Sequence, residues 1–444
     1  MLNLLRTTTM VAGVAFAGSA FAAGHGGPYA EYAGTTLVVN FPSHPHYNAV
    51  MEVLPQFTEE TGIEVEVDML PYLDMRERQT LELALDEGAY DMIAYVVFSK
   101  ADYVYADQLE NLAKFFMNPK LANPNYDAND LIDGYVQNIG VAGGEKGYLP
   151  GPTGSLYGLP FGSETSVLFY REDIFEKHGI AVPENYDQLL DAACKIPEVE
   201  PGMGGVASRA ASGHQASHAF LLHLAPLGGR VFDNVWNPII NNEAGVEAAN
   251  ALKAIVDCGP EGSSAFGPAE AANAFAQGQA AMFLDSIAFA PTFQDESRST
   301  VVGKVGYAMH PMGVTRASQT GGFGIGIPAN AEHKEAAFLL MQWLTSKEGD
   351  LAVAMAGGNP SRFSTYQNAE LNEKFPWSAT FGEALEFADP DWRPIIPAWG
   401  KINADIGTTM SQVLTDGLDV QEALDGIAER TRALMEEEGY YIWQ

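Results

Sequence analysis

Thr36 to Asn40 reads as a strand, and the apolar spacing then becomes helical over Tyr47 to Thr61. In that segment Val50, Val53, Leu54 and Phe57 follow i, i+3, i+4, i+7, Gly62 supplies the stop, and Pro55 predicts a kink. Ile63 to Met69 alternates and returns as a second strand. Strand, helix, strand implies a parallel sheet, in which ligands lie beyond the carboxyl ends of the strands. The loop Phe41 to Tyr47 occupies that place, so Ser43, His44 and His46 are candidate ligand contacts, although solvated turn residues would look the same.

A second readable stretch runs from Tyr157 to Ile196. Gly158 and Pro160 mark a turn-rich approach, and the β-branched and aromatic run Thr165 to Tyr170 suits a strand. Arg171 to His178 then forms about two helical turns, Gly179 can take the left-handed cap, and Pro183 blocks continuation. Asn185 can cap the next helix with Gln188 three residues on, and Leu189, Leu190 and Ala193 supply its buried stripe. Farther along, Gly306 to Pro311 reads as a strand crossing a hinge. Ala331 to Ser346 reads as a helix with Ala337, Leu340, Met341 and Leu344 on one stripe.

Residues 1–23 carry one charge, Arg6, then an apolar run and the small-x-small triplet Ala20-Phe21-Ala22, which predicts a cleaved export signal. Ala23-Gly24-His25 at a new amino terminus could hold Cu(II) or Ni(II) in a plane, and an unstructured tail is the plainer reading. The formal charge of −33 over 444 residues opposes nucleic acid and anionic lipid. Cys194 and Cys258, the two cysteines, could form a disulfide in an oxidising compartment or remain two buried thiols. His214 and His218 are spaced i, i+4, but no third ligand follows at a zinc spacing. Gly321 to Pro328 lacks the third glycine of a dinucleotide fingerprint, and no cofactor is expected.

Five stretches in order resemble the family 1 extracellular solute-binding proteins of ABC importers, the group that includes maltose-binding protein. They are Asp91 to Tyr95, Tyr157-Gly158-Leu159-Pro160 through Tyr170-Arg171-Glu172-Asp173, Asn273 to Phe293 with its F-x-x-G-x-A-A-M pattern, Gly321 to Pro328 with the following helix, and Gly357 to Arg362. The resemblance implies an α/β fold of two lobes, the type II periplasmic binding protein fold. Each lobe would hold a mainly parallel sheet flanked by helices, with a helical C-terminal cap. It places the N-terminal lobe at 24–162 and 307–355 and the C-terminal lobe at 163–306 and 356–444. It also implies a monomer in the periplasm that hands its ligand to ABC permease subunits.

Carbohydrate, whether sugar, sugar alcohol or sugar acid, is the ligand class this suggests. Tyr95, Phe161, Phe323 and Trp399 could stack on a sugar face, and Glu164, Asp285 and Arg362 could bind its hydroxyls. His214 and Gln215, before Leu227-Gly228-Gly229, and Gly322, where backbone could approach ligand, complete the candidates. Where many relatives carry Trp after the A-A-M pattern, this chain has Asp285 to Phe289, which removes one stacking platform. A secreted glycoside hydrolase using Glu164 and Asp285 is the rival from another class, and it would need one carboxyl held protonated. A binding protein serving a chemoreceptor would use the same cleft.

Overall fold

The computed structural model describes residues 27–143 and 154–441. The export signal and the Ala23-Gly24-His25 site therefore lie outside the described residues. The described strands are β1 (Thr36–Pro42), β2 (Glu64–Leu70), β3 (Met92–Val96), β4 (Val141–Ala142), β5 (Ser155–Leu156), β6 (Leu159–Glu164), β7 (Ser166–Arg171), β8 (Gly204–Ala207), β9 (Ala280–Ser286), β10 (Val305–Met309) and β11 (Gly321–Gly326). They form a sheet ordered β2-β1-β3-β11-β6, a second ordered β10-β7-β9-β8, and the small pair β4-β5.

The predicted βαβ unit is present: β1 pairs in parallel with both β2 and β3. Its helix runs Pro45–Thr61, starting earlier than the apolar spacing suggested. His44 caps it by accepting from the His46 amide, and Pro45, which has no amide proton, fits the first turn. Pro55 lies on the exposed face and does not end the helix. Val50, Val53, Leu54 and Phe57 bury against Leu37, Val39 and Phe41 of β1 and Phe338, Leu340 and Leu344 of the helix Lys334–Leu344.

Each sheet contains a single reversed strand. In the first sheet β11 is antiparallel to both β3 and β6. In the second, β7 is antiparallel to both β9 and β10, while β8 and β9 are parallel. The reversed strands are the two that enter a sheet from the other lobe. β6 ends at Glu164 in the first sheet and β7 begins at Ser166 in the second, so one residue, Thr165, makes the passage. The return leaves β10 at Met309 and enters β11 at Gly321. A strand arriving from the hinge must run away from it, and the forward strands run toward it. The carboxyl ends of the forward strands in both sheets therefore face the hinge. A third passage follows Arg362 through the helices Phe363–Tyr366, Ala369–Lys374 and Ser378–Leu385 to the long helix Trp399–Thr415.

Three local sequence signals are realised in the fold. Gly179 takes a left-handed φ of 61° as a cap. The Asn185 side chain accepts from the Gln188 amide at 3.0 Å, while the Gln188 side chain accepts from the Glu184 amide, one residue before the position a capping box would use. Cys194 and Cys258 form a disulfide that ties the helix Tyr186–Val199 to the end of the helix Glu243–Asp257, which decides between the two cysteine readings.

Candidate functional site

Parallel pairing of β8 and β9 builds the centre of the site. The register sets Ala207 opposite Phe283, so two residues farther on Arg209 faces Asp285 at the hinge-facing end of the sheet. Arg209 Nε donates to Asp285 Oδ2 at 2.6 Å and Nη2 to Oδ1 at 2.7 Å, a bidentate pair around a fully buried carboxylate. Arg209 Nη1 also donates to Gln215 Oε1 at 3.2 Å, at the start of the helix His214–Leu224. Behind the pair, Arg393 Nη2 donates to His218 Nδ1 at 2.9 Å, which leaves the proton of the neutral ring on Nε2, 3.8 Å from Asp285 Oδ1.

Strand ends of the first lobe contribute a second cluster. Glu164, the last residue of β6, has Oε1 3.2 Å from His44 Nε2, in the loop after β1. Its other oxygen accepts from the hydroxyl of Ser286, the last residue of β9, at 2.7 Å. Residues from both sheets thus meet on one carboxylate. Burial pushes the Glu164 carboxyl up, but the His44 hydrogen bond and charge, then Ser286 and Arg209, outweigh it and hold the group below its ordinary value.

Between the lobes lies a cavity of about 620 Å³. The first lobe lines it with Tyr72, Leu73 and Arg76 of the helix Tyr72–Glu82 and with Phe98 and Asp102. The second lobe contributes Arg209, His214 and Gln215 on one side and Ile396, Pro397, Trp399, Gly400 and Asn403 on the other. Phe98 and His214 approach across the gap, with ring centroids 6.4 Å apart. His214 Nδ1 pairs with Asn403 Nδ2 at 3.1 Å. Burial, then the charges of Arg393 and Arg209, lowers its pKa to about 3, so the ring is neutral at physiological pH. Such a lining, with Tyr72, Phe98 and Trp399 beside the polar Arg76, Asp102, Arg209, His214, Gln215 and Asn403, suits a small ligand with an apolar face and several hydroxyls.

The structure brings together His44, Glu164 and Phe323 at the hinge, the Phe323 ring lying 5.1 Å from His44, and His214, Gln215 and Trp399 in the cavity lining, while Asp285 is fully buried behind Arg209 and does not line the cavity. It does not bring the other candidates there. Tyr95 is fully buried with its hydroxyl on the Ile139 carbonyl at 3.0 Å, and Phe161 is buried under His46 and Tyr47, so neither ring is open to a ligand. His46 is buried and accepts from the Asn359 amide. Ser43 is exposed, its amide donating to the Leu70 carbonyl. Gly322 has φ of 90°, and a Cβ there would lie 2.1 Å from the Gly162 carbonyl oxygen, so its glycine serves the sheet. Arg362 is fully buried, its donors spent on the Thr345, Asp127 and Tyr126 carbonyls and on Asp130. Each of these was a strand, turn or buried position whose residue type alone could not report which way it faced.

Arg209, Arg393, Tyr72, Arg76 and Asn403 were not singled out from the sequence. For Arg209 a signal existed, its place just past the carboxyl end of a strand. Arg393 and Asn403 reach the site through the third passage, which no short motif marks. Among the described residues no group of three or more His, Cys, Asp or Glu could hold a metal ion, and no helix is long and apolar enough to cross a membrane.

Residues 42–351 match the model of the bacterial extracellular solute-binding protein family, well over half of the chain. The protein belongs to that family. This solute-binding protein is 28% identical over 393 residues to the mannitol-binding protein of Pseudomonas aeruginosa, covering 82% of this chain and 85% of that one. It is 27% identical over 340 residues to a protein of Sinorhizobium fredii named as a probable amino-acid ABC transporter periplasmic-binding protein, covering 74% of this chain and 73% of the other. In structure it resembles an ABC transporter solute-binding protein of Agrobacterium vitis S4 crystallised with bound D-mannitol, with a TM-score of 0.75, 25% identity and coverage of 91% and 99%. The fold is the two-lobe α/β arrangement expected from the sequence.

Proposed function

We propose that the protein is the periplasmic binding subunit of an ABC importer that captures a small polyhydroxylated solute, a sugar, sugar alcohol or sugar acid, between its lobes and delivers it as a monomer to the permease. The observation that carries this is the cavity shared by both lobes, lined by the aromatic residues Tyr72, Phe98 and Trp399 and by Arg209, His214, Gln215 and Asn403, which carry hydrogen-bonding groups. The mannitol-binding relative and the mannitol-bound structure support the same ligand class. Three passages of chain at the hinge support opening and closing about it. The lobe division proposed from the sequence is kept with three boundaries moved, the first from 162 to Glu164, where β6 leaves the first sheet. β10 stays in the second sheet to Met309, and Arg362 is anchored on residues 126–130, so the first lobe resumes after Pro311 and runs through Arg362.

Hydrolysis fits poorly. A glycosidase needs one carboxyl held protonated near neutral pH, whereas Glu164 is shifted down and Asp285 is locked by Arg209. The experiment is a thermal melt of the purified protein against sugars, sugar alcohols, sugar acids and amino acids, paired with small-angle scattering. Binding at a hundred times Kd stabilises by about 2.7 kcal/mol, and closure should lower the radius of gyration. Stabilisation by amino acids alone, following the Sinorhizobium relative, would defeat the ligand class. Sustained glycoside turnover dependent on Glu164 would defeat the transport reading.

A further inference from the structure

The cavity is cationic in a protein whose formal charge is −33. Arg76 and Arg209 line it, and Arg393 stands beside them, its charge bearing on Arg209, on Tyr72 and on His214. Two of these guanidinium groups have counter-charges: Arg209 grips Asp285, and Arg76 acts on Asp102, another lining residue. Arg393 is placed differently. It is 8% exposed, and its Nε is a buried donor with no hydrogen-bond partner among the described residues. Its Nη2 donates to neutral His218, and its Cζ lies 4.0 Å from the centroid of the Trp392 ring. The carboxylate whose charge bears on it is Asp285, already held by Arg209. Burial followed by the Arg209 charge lowers the Arg393 pKa to about 9, the direction expected of a cation short of counter-charge.

A buried cation without a full partner is costly, and the cost is offset when an anion arrives. A neutral sugar alcohol brings hydroxyls but no charge. We propose that the transported solute carries a carboxylate, a polyhydroxy acid of the aldonate type, with its carboxylate received at the Arg209 wall of the cavity, under the charge of Arg393 behind it, and its hydroxyls by His214, Gln215 and Asn403. This rests on the reading above that the cavity takes a polyhydroxylated solute, and it narrows that class to its acidic members. Neutral His214 then serves as a hydroxyl partner, since a third or fourth positive charge would repel the arginines beside it.

The test is calorimetric titration of the full mature protein at pH 7 with acid and alcohol pairs of equal chain length: erythronate and erythritol, ribonate and ribitol, mannonate and mannitol. At one chain length the acid should bind at least about tenfold more tightly than its alcohol, because a charge-assisted hydrogen bond replaces a neutral one. That preference should weaken with added salt, and in Arg393→Gln the acid-to-alcohol ratio should collapse toward one. The wild-type pairs decide the matter even if that variant fails to fold. An alcohol that binds as tightly as its acid at every length overturns the carboxylate and leaves the polyhydroxylated reading standing. If neither member of any pair binds, both fall together.

Discussion

Arg209 and Asp285 lie on neighbouring parallel strand ends and meet through two hydrogen bonds of 2.6 and 2.7 Å. The aspartate is fully buried and the arginine nearly so, so neither charge has much water to fall back on. Asp285→Asn should therefore cost about 3 kcal/mol or more of unfolding free energy, since it strands the guanidinium. Urea unfolding measures this, and the Arg209→Ala, Asp285→Ala double variant should lose less than the two single variants added together. Additive losses would mean the pair does not act as a unit.

Acid should weaken the fold well before the carboxylates titrate. Burial lowers the pKa of His46 and His310 to about 3 and of His223 to about 4, against 6.5 for a free imidazole; His44 adds to the shift at His46, and His223 and Arg316 add to it at His310. Between those values the unfolded chain binds protons that the native state refuses, so stability is complete above pH 6.5 and falls as pH drops below it. Each such ring contributes up to about 1.4 kcal/mol per pH unit in that window. The guanidinium midpoint should fall steadily from pH 7 to pH 5, and His223→Gln with His310→Gln should flatten the slope. A midpoint unchanged over that range would contradict the burial of these rings.

Arg362 separates structure from binding. With its donors held by three carbonyls and Asp130 and its Cζ 4.8 Å from the Tyr126 ring centroid, it ties the third passage to the first lobe. Arg362→Ala should lose at least about 3 kcal/mol of stability. Whatever fraction stays folded should keep its ligand affinity, measured by calorimetry. Lost affinity in a folded variant would return Arg362 to the binding site.

The Cys194–Cys258 bond closes a loop with a sequence separation of 64. In the chain-entropy account such a closure contributes about 4 kcal/mol by restricting the unfolded chain. A protein with both cysteines changed to serine should melt earlier by that margin in differential scanning calorimetry. Intact-mass measurement of the oxidised parent, without reductant, should find no free thiol.

Local physics was written in the sequence. The stripe Val50, Val53, Leu54, Phe57, the Gly179 cap and the Asn185 cap each depend on residues within a few positions of one another, so one short window contains both cause and effect. Glu164 enters through the family resemblance alone, since the turn-like approach Tyr157 to Pro160 gives no local sign of the strand Leu159–Glu164 that ends there. Tertiary structure alone decided that Tyr95 and Phe161 face a core, that Arg362 serves carbonyls more than two hundred residues away, and that Arg393 stands beside Arg209. An aromatic or an arginine has the same composition whether it faces core or cleft. The choice is made by the order of strands in two sheets and by the third passage of chain, which are long-range pairings that no local spacing encodes.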